Sequence, residues 1–235
     1  AELRYFLGVT DQTSSHKEKL ISGLGAFLGI FSVCLISLAF MDQATAVYIV
    51  PSIGASAVLL FAAPHVSFSQ PWNVFAGHLV SAVVGVSCAL IVSDAVIAAS
   101  LAVGIAVTAM YYLRCIHPPG GATALAAVIG SAKLHNLGYS YILTPVFLNV
   151  VTLLLIALLF NLLFNWRRYP AYLHRRLGKK DSVTNSAIRE GYQPIYQPIR
   201  HEDFVYALSQ MDSFVDISEA DLLKIYSLAT GKERH

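Results

Sequence analysis

His117 is followed at once by Pro118-Pro119-Gly120-Gly121, with Arg114 three residues before it and Thr123 six residues after, in a stretch that is otherwise apolar. An imidazole donates, accepts or carries a proton, a guanidinium offers a planar fork of donors, and a hydroxyl adds one more. Glycines let the backbone approach a small ligand closely. Residues of these types suit the binding of a small oxyanion, and Arg114 matches a two-oxygen anion in particular.

Proline suits the first turn of a helix, where its missing N–H would have no partner anyway, so Pro118 and Pro119 predict a helix start. The positive end of that helix then lies at membrane depth, where non-helical backbone is tolerated only inside protein or along a watery cavity. A second copy occurs. Pro51-Ser52-Ile53-Gly54-Ala55-Ser56-Ala57-Val58 aligns with Pro118-Pro119-Gly120-Gly121-Ala122-Thr123-Ala124-Leu125 at a constant 67-residue spacing (51 to 118). Paired Gly/Pro-interrupted apolar segments in two halves of a chain point to a transporter's binding site.

The expected substrate-binding set is therefore Ser52, Gly54, Ala55, Ser56, His78, Arg114, His117, Gly120, Gly121, Ala122 and Thr123. Each has a plainer alternative. The glycines and hydroxyls also serve tight helix packing, with the hydroxyls bonded to the preceding turn. Arg114 also suits a helix end from which it snorkels to lipid headgroups. His117 is expected to bind the anion, shuttle a proton or cap the broken helix, and His78, mid-span among small residues, faces the same choice without an acidic neighbour in sequence. Asn73, Asn149 and Asn161 fit a polar path or hydrogen bonds between helices.

Positioning these residues requires membrane-length elements, and the composition supplies them. Of 235 residues 56% are hydrophobic and 13% charged, with a mean hydropathy of +0.60, far from the soluble average of about a quarter charged. A net charge of +2 gives no reason to expect nucleic acid as a partner. The expected fold class is an all-α membrane protein, a small bundle of two repeated halves, each with a Pro/Gly-broken helix. Apolar runs at 20–41, 44–63, 72–93, 95–113, 116–132 and 141–166 follow one another, each judged against the roughly 20 residues of a crossing. The run at 116–132 leaves a helix from about Gly121 to Ser131. Gly77, Ser81, Gly85 and Ala89, and again Ala98, Ala102 and Ala106, form small-residue seams.

Domains are expected at 1–19 (an N-terminal segment with an interfacial helix around Leu3 to Val9), 20–166 (the membrane domain, halves about 20–93 and 95–166), 167–200 (a basic linker) and 201–235 (two amphipathic helices). No cleavable signal is expected before the first run. Arg167, Arg168, Arg175, Arg176, Lys179 and Lys180 after the last run, with Lys17 and Lys19 before the first, put both termini in the cytoplasm. An even number of crossings follows, either four with re-entrant motif segments or six with inverted repeats, and inverted repeats are favoured. Cys34, Cys88 and Cys115 are isolated and read as buried thiols. No metal, cofactor or catalytic residues are expected, because the spans hold no paired carboxylates or nucleophile-base set.

The run from His117 to Leu125 resembles the signature of the HPP family of integral membrane proteins, as do the segments Pro51 to Pro64 and Gln70-Pro71-Trp72-Asn73-Val74 to Gly77-His78. The similarity covers roughly residues 20 to 165. It implies a small helical protein of a bacterial inner membrane whose plant and cyanobacterial relatives transport nitrite. It also implies that a tail of this kind leads into CBS-type regulatory modules, absent from this chain. Small-residue seams point to a homodimer or larger assembly. The expected function is thus a transporter or channel for a small monovalent anion such as nitrite. The alternative is an anion sensor coupled through its cytoplasmic tail.

Overall fold

The computed structural model describes residues 14–46, 50–167 and 169–172. The expected helices near Leu3 to Val9 and in 201–235, and most of the basic linker, lie outside these residues.

Six longer helices, with short ones between them, follow one another among the described residues. Helix α1, His16–Phe40, starts where Ser15 accepts a hydrogen bond from the Glu18 N–H. That cap extends the first apolar run by four residues, through Lys17, Glu18 and Lys19. A four-residue helix, Gln43–Ala46, precedes α2, Val50–Ala62. After a 3₁₀ turn at Ser67–Ser69, α3, Pro71–Ile91, opens with Pro71 in its first turn. Asp94 accepts from the Val96 and Ile97 N–H groups to start α4, Ala95–Tyr112. Helix α5, Pro118–Ile129, begins at the Pro-Pro pair itself, three residues before the start expected at Gly121. A short helix, Ala132–Asn136, leads to wide π turns at Ile142–Phe147, with Thr144 non-helical before Pro145, and these run into α6, Leu148–Leu162.

Four of these elements, His16–Phe40, Pro71–Ile91, Ala95–Tyr112 and Ile142–Leu162, are long and apolar enough to cross a membrane. Helices α2 and α5 are shorter, with 13 and 12 residues. Side-chain contacts nevertheless place the ends of both short segments. Arg167, just past α6, bonds Glu18 at the start of α1 and the Phe61 carbonyl at the end of α2. At the other end of the bundle Lys133 pairs with Asp42. Helix α1 alone spans about 37 Å at 1.5 Å per residue. Residues 42–61 therefore run the length of the bundle from the Lys133 end to the Arg167 end. Residues 113–133 make the reverse trip: the Leu113 carbonyl accepts from Trp72 Nε1, one residue into α3, and Lys133 lies at the far end. The two short segments therefore run in opposite directions along the bundle.

Both seams read from the sequence pack within the bundle, and so do two further glycines. Gly25 and Gly29 of α1 lie against Phe61, Leu153 and Phe160. Ala98, Ala102 and Ala106 of α4 are buried against Cys88, Ala124 and Val128. Gly85 of α3 sits on the α5 backbone, where a Cβ would come within 2.5 Å of the Ala124 carbonyl oxygen. Outward faces carry large apolar side chains such as Leu24, Phe27, Phe31 and Leu35.

Candidate functional site

Four fully buried polar side chains meet where α2, α3 and the start of α5 pack together: Ser56, His78, His117 and Thr123. Ser56 Oγ lies 2.8 Å from His78 Nε2 and 2.7 Å from His117 Nε2. On the other side of its ring, His78 Nδ1 is 2.7 Å from Thr123 Oγ1. His117 Nδ1 is 2.8 Å from the Phe68 carbonyl oxygen in the turn between α2 and α3. The two rings stand edge to face, 4.9 Å apart. Ser56 and Thr123, which correspond at the 67-residue spacing, are therefore bridged by one imidazole.

A carbonyl only accepts, so His117 carries its hydrogen on Nδ1 and presents a bare Nε2 when neutral. Ser56 then donates to His117 Nε2, His78 Nε2–H donates to Ser56, and Thr123 donates to His78 Nδ1. Every donor is used once with both rings neutral. Ser56 has a second acceptor in reach, the Ser52 carbonyl at 3.2 Å. Buried polar groups satisfied this completely hold one another in place, because an unpaired one is costly in a dry interior.

The surroundings explain the fit. Gly77 gives the room His117 occupies, since a Cβ there would come within 2.6 Å of His117 Cβ. Gly120 faces α3 as closely, with Ser81 Oγ 2.8 Å and the Gly77 carbonyl oxygen 2.9 Å from where its Cβ would be. No side chain caps the first turn of α5, and the capping role open to His117 is not the one it takes. Tyr141 donates to the Thr123 carbonyl at 3.0 Å and lines a cavity of about 140 Å³ with Val86, Ala127, Leu134 and His135 toward the Lys133 end.

The other sequence-selected residues divide. Ser52 is buried on the same face of α2 as Ser56. Gly54 and Gly121 are half-buried, with open space or only a Val103 methyl at 3.9 Å where a Cβ would go. Ala55 and Ala122 are exposed. Arg114 is exposed too, at a positive φ of 53°, and its side chain has no hydrogen bond or ion pair among the described residues. The structure keeps it out of the buried cluster. Asn73 and Asn161 join segments by donating to the Ile116 and Leu60 carbonyls, and Asn149 accepts from Ser37. Sequence reasoning missed Tyr141 and the Phe68 carbonyl. Among the described residues no three His, Cys, Asp or Glu side chains group to hold a metal.

Antiparallel packed helices with an apolar exterior and a sealed polar cluster at two short helices define a polytopic helical membrane protein. Comparison with known proteins agrees and narrows the class. The profile described as "HPP, transmembrane region" matches residues 11–170, and the chain belongs to that family. A transmembrane protein of Dictyostelium discoideum is 39% identical over 155 residues, covering 64% of this chain and 50% of its own. A second transmembrane protein of that organism is 36% identical over 153 residues, 63% of this chain and 53% of its own. The chain spans about half the length of these curated relatives. No solved structure matches it.

Proposed function

We propose that the protein is a transporter or channel for a small monovalent anion, with nitrite the leading candidate, and that the ion passes through the cluster of Ser56, His78, His117 and Thr123. The observation that carries this reading is the convergence of two buried imidazole Nε2 atoms on one hydroxyl, beside the positive end of α5. Polar and ionisable groups inside a membrane bundle are costly and mark ion paths. Donors of this kind replace the hydration shell that a small anion sheds on entry.

The two halves act as inverted repeats, each contributing one short helix, in keeping with the opposite directions of α2 and α5. The basic residues after α6 set the Arg167 end toward the cytoplasm. On this reading the ion approaches from the opposite face by the cavity beside Tyr141, whose hydroxyl bonds the Thr123 carbonyl, and by the open space at Gly54 and Gly121. The protein works in a bacterial plasma membrane.

Flux of nitrite, nitrate, formate and chloride into vesicles holding the purified protein tests this. Saturable flux that disappears in His117→Ala and His78→Ala supports it. Anion binding without flux would instead favour a sensor that signals through the segment after α6.

A further inference from the structure

We propose that the anion travels with a proton held on His117, so that the protein is an electroneutral proton–anion symporter. This rests on the anion reading above and adds the co-substrate.

The Phe68 carbonyl decides the matter. It accepts from His117 Nδ1, so a neutral His117 always turns a lone pair, at Nε2, toward the point now held by Ser56 Oγ. An anion at that point meets the His78 Nε2–H as a donor and the His117 Nε2 lone pair as a repulsive neighbour. One proton on His117 Nε2 removes the conflict. Both rings then present N–H groups to the same place, and the negative charge is neutralised in a dry site where an unpaired ion is costly.

The cluster takes up this proton without leaving a donor unpaired. With His117 Nε2 protonated, Ser56 receives two N–H donors on its two lone pairs and turns its own hydrogen to the Ser52 carbonyl at 3.2 Å. When the anion arrives it takes over the two N–H groups from Ser56. No bond other than the new N–H forms, and none breaks until the proton leaves with the anion on the other side. Two charged rings 4.9 Å apart repel, so the pair takes one proton and not two. Among the described residues the other titratable groups next to it are Tyr141, through the Thr123 carbonyl, and Cys115, whose backbone carbonyl lies beside Gly77. Among the described residues no carboxylate, lysine or arginine bonds to the cluster to supply the charge instead.

The test uses vesicles of the purified protein loaded with a pH-sensitive dye. One proton should enter with each nitrite or nitrate, an inside-alkaline gradient should drive accumulation, and a potassium diffusion potential should not. In detergent, anion affinity should weaken roughly tenfold per pH unit on the alkaline side, since two ligands that bind together are reciprocally linked. His117→Gln, which keeps a donor and an acceptor but does not titrate, should flatten that pH profile. Protein-dependent anion flux that responds to the potential and moves no protons overturns the symport and leaves the anion reading standing. No flux of any of the four anions sinks both. If His117→Gln folds and still couples one proton to each anion, the proton sits elsewhere and the assignment to His117 is wrong.

Discussion

Ser56 holds the cluster together, because a single hydroxyl oxygen satisfies one nitrogen of each imidazole. Ser56→Ala leaves two buried ring nitrogens without partners, and each such group costs about 1–3 kcal/mol. We expect a lower unfolding temperature in detergent together with loss of anion flux, whereas Ser100→Ala, on the exposed face of α4, should change neither. The residues of the cluster were legible in the sequence because a hydroxyl recurred at a fixed spacing and two histidines stood in apolar runs. Their partners were not. Phe68 contributes a backbone atom from a turn, and Tyr141 reaches from a segment 18 residues beyond Thr123, so no side-chain pattern pointed to either. Of the two roles open to Arg114, its exposure suits the one at a helix end: the chain takes a left-handed step there, and Cys115 and His117 are buried while Arg114 is exposed.

At the scale of elements, the short helices were legible from their prolines, and the long ones from run lengths near that of a bilayer crossing. Boundaries were less so. Capping by Ser15 and the tolerance of proline in a first turn moved two helix starts, and the π turns at Ile142–Phe147 interrupt what reads as one continuous apolar run. Glycine patterns alone also do not separate contact from open space, and the structure does. Gly85→Val drives a side chain into the α5 backbone and should destabilise by about 1–3 kcal/mol. Gly54→Ala meets nothing and should stabilise α2 by about 0.5–1 kcal/mol, measured by thermal unfolding. Gly121→Leu has room to fold, yet it fills the open approach to α5. Normal flux in that variant would exclude the approach beside Gly121 as part of the ion's path.

For the whole molecule, Arg167 is the clamp that brings three segments to one end. Its side chain is 1% exposed and reaches Glu18, Ser22, Asn161 and the Phe61 carbonyl. Burial pushes its pKa down while Glu18 pushes it back up, and a guanidinium remains charged through that range. Arg167→Ala strands a partly buried carboxylate and two carbonyl-type acceptors. The loss should be about 3 kcal/mol, at the low end for broken buried pairs because Glu18 keeps some exposure, and it should appear as a lower unfolding temperature. The sequence read this arginine as a topology signal only, since nothing local reveals a partner 149 residues away.

The placing of the indole rings has an optical consequence. The chain has two tryptophans, Trp72 and Trp166, both half-exposed and both at the Arg167 end, one bonded to Leu113 and the other to Glu18. Native fluorescence therefore comes from a single level of the bundle. In bilayers with bromine atoms set at graded positions along the acyl chain, quenching should be strongest for shallow bromines and weak for those at the centre, which gives a depth ruler needing no added label.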